Sequence, residues 1–225
     1  MALKYSSITK KVIMSLAGLF LIAFLFVHMT VNLLVLINDN GETFNKAAHF
    51  MVSNPIIQFM QIFLFGGFII HIIMGIVLQI QNWKARPKRY KVAPYSEMSP
   101  FSKFMIHTGM LIFLVLIYHL YNFFFQAKTG NIEHVVYNGT EYEDMAKLVL
   151  VKFRQLPHTI IYIIWLLLLG FHLDHAFHSG LQSLGFNHNK YTPTVFIISR
   201  IIAIVLTVGF ITIPVVIYFY RQLPV

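Results

Sequence analysis

Long apolar runs recur five times along the chain, and shorter polar segments separate them. The runs lie at about 12–37, 56–81, 104–127, 157–184 and 195–220. Each has about 20 residues or more, which is the length at which an α-helix crosses the hydrocarbon core of a bilayer. The pattern predicts an all-α integral membrane protein, folded as one domain over residues 1–225, in which five transmembrane helices form a bundle.

The polar segments predict how the helices are oriented. The segment 82–103 is the most basic of them, and Lys4, Lys10 and Lys11 precede the first run. The positive-inside rule places both in the cytoplasm, so we expect the N-terminus inside and the C-terminus outside. In the two outer loops, the pattern predicts a short helix over 43–53 and an interfacial helix that carries Met145, Leu148, Val149 and Phe153.

Composition supports a membrane protein and excludes several kinds of chemistry. Of the 225 residues, 57% are hydrophobic and only 11% are charged, whereas a soluble domain has about 25% charged residues. The 17 Lys and Arg against 8 Asp and Glu lie mostly at membrane edges, so they indicate topology and not a nucleic-acid partner. Cysteine is absent, which excludes disulfides and iron–sulfur ligation by this chain.

Four histidines fall at two depths when positions are converted with the helical rise of about 1.5 Å per residue. His28 lies about 16 residues into the first run and His119 about 15 residues into the third, so both lie in the outer half of the membrane. The second and fourth runs return inward, and His71 and His175 share a level in the inner half.

Two histidine pairs, each at one depth on two different helices, are the arrangement that two bis-histidine haems need. The alternative for any single histidine is a hydrogen-bonded packing residue or a proton relay. Gly18 and Gly109, ten positions before His28 and His119, lie where an inner-half porphyrin would pass the first and third helices. Ordinary close packing of helices on glycine explains them as well.

The fourth run contains three histidines within WLLLLGFHLDHAFHSG (165–180). Because successive members of the set His172, His175 and His178 are rotated by about 60° on a helix of 3.6 residues per turn, one haem can take only one of them. The depth of His175 best matches His71, so we predict His175 as the fourth ligand, with His172 as the alternative. Asp174 is expected to form an ion pair with Arg200 or, alternatively, to carry protons.

Several of these segments resemble one family. FLFVHMTVN (24–32), ETFNKAAHF (42–50), the span of His71, LIYH in the third span and HAFHSGLQSLG (175–185) are similar to the single-chain dihaem cytochrome b anchor of menaquinone-dependent succinate dehydrogenases and fumarate reductases. The similarity runs over most of the chain in the same order.

The resemblance implies a five-helix bundle that encloses two b-type haems in the bacterial cytoplasmic membrane. His28, His71, His119 and His175 would be the axial ligands of the haem irons. It also implies two partner proteins, a flavoprotein that interconverts succinate and fumarate and an iron–sulfur protein. This chain would then be the quinone-reactive subunit that passes electrons between the iron–sulfur protein and menaquinone.

Two other functions remain open at the level of the sequence. Another dihaem cytochrome b, such as the anchor of a hydrogenase or a formate dehydrogenase, would keep the histidine pairs. A transporter with proton-relay histidines is disfavoured because the sequence has no inverted repeat.

Electron transfer across two levels predicts where the partners bind. We expect menaquinone at the outer end, near Asn32, His49, Gln58 and Gln61. The iron–sulfur subunit is expected to dock on the inner loop 82–103, with contributions from Arg86, Lys88 and Arg89.

Overall fold

The computed structural model describes residues 7–85, 104–130 and 132–220 as a helical bundle with a small cap at one end. Its helices are α1 (Ser7–Leu33), α2 (Glu42–Ser53), α3 (Pro55–Ala85), α4 (Met105–His119), α5 (Phe125–Thr129), α6 (Met145–Phe153), α7 (Leu156–Ser183) and α8 (Thr192–Tyr220). A 3₁₀ turn, Leu34–Leu36, extends α1, and a π-helical segment, Leu120–Phe124, joins α4 to α5.

Within the part of the chain that the structure describes, five helical stretches are long and apolar enough to cross a membrane, as the hydrophobic pattern predicts. They are Ile8–Leu36, Pro55–Lys84, Met105–Thr129, Leu156–Ser183 and Thr192–Tyr220. Pro55 and Pro157 lie in the first turns of α3 and α7, where the missing N–H costs no helical hydrogen bond. The prediction of an all-α membrane bundle with five spans is therefore confirmed.

Side-chain contacts give the directions of the helices. Gly67 of α3 lies against Phe20 of α1, and Gly75 lies against the earlier residue Met14, so α3 runs antiparallel to α1. Gly180, near the end of α7, lies against Ser15, near the start of α1, so α7 is antiparallel to α1 as well. Gly209 of α8 meets Met29 of α1, which makes these two helices parallel.

The core is concentrated between α7, α8 and the cap. Its largest cluster includes Val35, Phe44, Phe153, Trp165 and Ile217. A second cluster joins Ile22 of α1 to Leu173 of α7 and Leu206 of α8. In contrast, no residue is buried in the most apolar stretch of α3, so this helix lies at the edge of the bundle and packs along α1.

The cap consists of α2, a β-hairpin and α6, and both of its helices were predicted. The hairpin, β1 (His134–Tyr137) and β2 (Thr140–Glu143), was not. Its strands are joined by Asn138 and Gly139, both with positive φ, which is the two-residue turn that Asn-Gly favours. The loop 128–156, expected to hold only an interfacial helix, therefore holds a hairpin as well.

Asn45 joins the three parts of the cap. Its side chain is fully buried. The amide nitrogen of Asn45, Nδ2, donates to the Tyr137 hydroxyl at 3.1 Å and to Asp144 Oδ1 at 3.0 Å. The amide oxygen of Asn45 accepts from the Ala146 N–H at 2.8 Å. One side chain on α2 is thus bonded to the hairpin, to the residue that precedes α6 and to the first turn of α6.

Asp39 holds the start of α2. Its carboxylate accepts the N–H groups of Gly41 and Thr43 at 3.1 and 2.9 Å. Burial opposes ionisation of this group, but the hydrogen bonds from Thr43 and Gly41 outweigh it and hold the pKa of the Asp39 carboxyl below its usual value. A carboxylate at this position also suits the positive end of the helix dipole.

Candidate functional site

The histidine pair expected in the outer half of the membrane, called the outer pair, is formed by α1 and α4; the pair expected in the inner half is called the inner pair. The rings of His28 and His119 lie 5.8 Å apart between centroids, with their planes at 90°. His28 stacks on Phe24 one turn earlier in α1 and also contacts Phe210 of α8. His119 Nδ1 lies 3.2 Å from the hydroxyl of Tyr162, which is buried on α7.

The inner histidine pair is formed by α3 and α7. The rings of His71 and His172 lie 6.4 Å apart between centroids, with their planes at 70°. His172 Nδ1 lies 3.3 Å from the Thr108 hydroxyl of α4. Four different helices thus contribute one histidine each to two pairs.

The expected partner of His71 was His175, whereas the ring that the structure places against His71 is that of His172. The ring of His175 meets that of His178 at 5.0 Å. Depth had been measured from a predicted end of the second span at residue 81, but α3 continues for another turn to Ala85. This moves His71 farther from the helix end and brings it level with His172.

Two glycines lie directly against the inner pair. A Cβ built on Gly18 would lie 3.5 Å from Cε1 and Nδ1 of His71, and one built on Gly109 would lie 3.5 Å from Cε1 of His172. Both glycines were expected at the level of the inner pair, and each of them lies against one histidine of that pair. α1 and α4 therefore leave space on two sides for the inner imidazoles.

The two pairs have the dimensions that a haem iron requires. A bond from a first-row metal to an imidazole nitrogen is about 2 Å long, and the centroid lies about 1 Å behind that nitrogen, so two imidazoles on one iron have centroids about 6 Å apart. The observed 5.8 and 6.4 Å match this value, and they also lie in the range of ordinary edge-to-face packing of rings. His71 Nδ1 is also buried without a hydrogen-bond partner within the described residues. The hydrogen-bonding capacity of this ring nitrogen is therefore unused there.

A bound metal ion without a porphyrin is a poorer fit. Such an ion usually needs at least three protein ligands, and residues 7–85, 104–130 and 132–220 contain no group of three or more His, Cys, Asp or Glu side chains arranged to hold one. Pairs of histidines suit haem because the porphyrin supplies the other four ligands.

An aromatic and polar cluster, in which Asn122, His158 and Tyr162 are buried and Tyr118 is exposed, lies beside the outer pair. The Tyr118 hydroxyl lies 2.8 Å from His158 Nδ1, and His158 stacks on Tyr162 with 4.6 Å between ring centroids. Lys152 of α6 donates to Asn122 Oδ1 at 2.8 Å. Asn122 lies in the π-helical segment that directly follows His119, and such segments are frequent at functional sites.

Sequence reasoning missed the side chains that contact the histidine nitrogens. Thr108 and Tyr162 are 64 and 43 residues away from the histidines they contact, and no local motif connects them. The position of Thr108 directly before Gly109 is a weak signal of its contact with His172, because the glycine marks where α4 approaches another helix.

The four residues expected near menaquinone lie in separate places. Asn32 donates to the His28 carbonyl at 2.7 Å and lies 3.3 Å from His28 Nδ1. His49 lies 3.4 Å from Glu143 in the cap, and Gln58 donates to the Val52 carbonyl at 2.7 Å. Gln61 is partly exposed on α3. Of the four, Asn32 directly contacts a histidine of the pairs, and the quinone assignment stays a prediction.

Asp174 forms the ion pair that was expected with Arg200, with 3.5 Å between Oδ1 and Nε. His178 Nδ1 donates to the Asp174 carbonyl at 2.7 Å, and its ring packs on Phe196 of α8. The basic side chains of Arg86, Lys88 and Arg89, expected to dock a partner, lie outside the described residues.

Compared with known proteins, the chain matches no protein-family model, no curated protein and no solved structure. Its function must therefore be inferred from its own residues and their geometry.

Proposed function

We propose that this chain is the dihaem cytochrome b anchor of a succinate dehydrogenase or fumarate reductase complex, which passes electrons between an iron–sulfur subunit and menaquinone. The observation that carries the proposal is the presence of two histidine pairs, drawn from four helices, at two levels of one membrane bundle. A single pair is common in packing or proton transfer, but two pairs with the spacing of axial ligands are explained best by two haems.

His28 and His119 would hold the outer haem, and His71 and His172 the inner one. Each bound haem b would supply a centre that takes up and releases one electron. The chain positions these centres: α1 and α4 present the outer imidazoles, and α3 and α7 present the inner ones. The buried aromatic rings of Tyr162 and Trp165 beside His119 keep water away from the outer pair.

Two levels are useful to a protein that connects reactions on opposite sides of a membrane. Dicarboxylates are soluble in the cytoplasm, so the iron–sulfur subunit would bind at the inner end, where the basic loop lies. Menaquinone would then react at the outer end, near His28 and His119. The complex would reside in the bacterial cytoplasmic membrane with the cap on the outside.

The ligand assignment is tested by removing single imidazoles. His28→Ala, His119→Ala, His71→Ala and His172→Ala should each lower the haem content of the purified chain from two to one, measured as the haem-to-protein ratio and the reduced-minus-oxidised spectrum. His175→Ala should keep both haems. His107→Ala is the matched control, because His107 is exposed on α4 and should also keep both.

The result for His175 decides between the two candidates for the fourth ligand. Loss of one haem in His175→Ala, with both retained in His172→Ala, would restore the assignment made from depth. A wild-type chain with no haem spectrum would contradict the proposed function as a whole.

Co-purification distinguishes the proposed complex from another dihaem cytochrome. A flavoprotein and an iron–sulfur protein should accompany the tagged chain from its native membrane, and the preparation should reduce a menaquinone analogue with succinate or oxidise its quinol with fumarate. Association with a hydrogenase or a formate dehydrogenase instead would support the alternative anchor.

A further inference from the structure

Thr108 makes two contacts that together indicate which ring nitrogen of His172 carries the proton. Its hydroxyl lies 3.0 Å from the Met105 carbonyl in the preceding turn of α4 and 3.3 Å from His172 Nδ1 of α7. The hydroxyl has a single proton, and the contact with the Met105 carbonyl, which can only accept, is the shorter of the two, so we assign the proton to that contact.

The same hydroxyl oxygen must therefore accept from His172. A neutral imidazole carries its proton on one nitrogen and a lone pair on the other. With Nδ1 protonated and donating to Thr108, the lone pair of His172 is on Nε2. That nitrogen is then able to bind a metal.

We propose that Thr108 is a positioning residue that fixes His172 in the Nδ1–H tautomer and thereby makes it the axial ligand opposite His71. The inference rests on the proposed function, because it concerns the ligand of the inner haem. Gly109, the next residue on α4, gives independent geometric support, since a Cβ built on it would lie 3.5 Å from Cε1 of His172, so this part of α4 lies directly against the ring.

The contact also influences the electronic properties of the ligand. A histidine that donates its distal N–H to an oxygen is a more basic ligand at the other nitrogen. A more basic imidazole favours the ferric over the ferrous state, so Thr108 lowers the reduction potential of the inner haem. On the outer pair, Tyr162 occupies the corresponding place beside His119 Nδ1, at 3.2 Å.

The test compares Thr108→Val with Thr108→Ser in the purified complex by redox titration of both haems. Valine has nearly the shape of threonine but no acceptor oxygen, so the midpoint potential of the inner haem should rise while that of the outer haem stays unchanged. Serine keeps the oxygen and should restore the wild-type potential. Tyr162→Phe removes the corresponding contact of His119 Nδ1 and should leave the potential of the inner haem unchanged.

Each outcome bears on the inference. Unchanged potentials in Thr108→Val, or equal shifts of both haems, would overturn it. If Thr108→Val loses the inner haem, the serine variant decides: retention of that haem at its normal potential supports positioning by the hydroxyl, and its loss overturns it. Absence of haem from the wild-type complex would instead overturn the proposed function, while two haems that are insensitive to Thr108 would leave that function intact.

Discussion

At the scale of single residues, Gly18 and Gly109 limit which side chains α1 and α4 can carry beside the inner histidines. A Cβ at either position would lie 3.5 Å from an imidazole, which is an ordinary van der Waals distance. Alanine should therefore be accepted, and a longer side chain should push the ring away.

We expect Gly18→Leu and Gly109→Leu each to lose the inner haem and to keep the outer one, whereas the two alanine variants keep both. Gly66→Leu on α3 is the control, because a Cβ there meets nothing within 4 Å. Haem content per chain is the measurement. Two haems in both leucine variants would show that these glycines serve ordinary helix packing.

The ring that lies beside His71 shows what a sequence can and cannot determine at this scale. Depth along a helix follows from counting residues, and it correctly grouped His28 with His119. An error of one turn in a helix end, however, exchanges His172 for His175. The contact with Thr108 lies across the bundle and follows only from how α4 packs on α7.

At the scale of secondary-structure elements, the cap depends on Asn45. Asn45→Leu would leave the Asp144 carboxylate and the Ala146 N–H without this partner, and a buried group left unsatisfied costs about 1–3 kcal/mol. The cap should loosen while the transmembrane helices remain folded.

Hydrogen exchange measures this effect locally. In Asn45→Leu, amides of residues 42–53 and 134–153 should exchange faster, and amides of α7 should exchange as in the wild type. Lys46→Gln, which removes an exposed ion pair with Glu42, is the control and should leave exchange unchanged. Equal exchange in Asn45→Leu and the wild type would show that Asn45 does not hold the cap together.

The sequence pattern predicts some secondary-structure elements much more clearly than others. The transmembrane helices follow from long apolar runs, and α6 follows from its apolar spacing. The hairpin had a local signal, Asn138-Gly139, but each strand has only four residues and half of the eight are polar, without a regular alternation, so the hydrophobic pattern did not mark them. Their position is fixed by contacts with Asn45 on a distant helix.

At the scale of the whole molecule, the absence of cysteine makes topology simple to measure. Glu141 on the hairpin and Lys190 before α8 are both exposed and lie at opposite ends of the bundle. In intact cells or right-side-out vesicles, a membrane-impermeant thiol reagent should label Glu141→Cys. It should label Lys190→Cys only after the membrane is permeabilised. The reverse pattern would place the cap in the cytoplasm and overturn the orientation inferred from basic residues.

The position of α3 at the edge of the bundle has a consequence for biogenesis. Its most apolar stretch has no buried residue, and lipid gives helices no hydrophobic reason to associate. Yet α3 supplies His71, so a haem bound between His71 and His172 would tie this helix to α7 on the far side of the inner site. Without haem, this link between α3 and α7 through the iron is absent. We therefore expect cofactor insertion to strengthen the attachment of α3 to the rest of the bundle, and thereby to make haem-loaded chains more resistant to quality-control proteases than chains without haem.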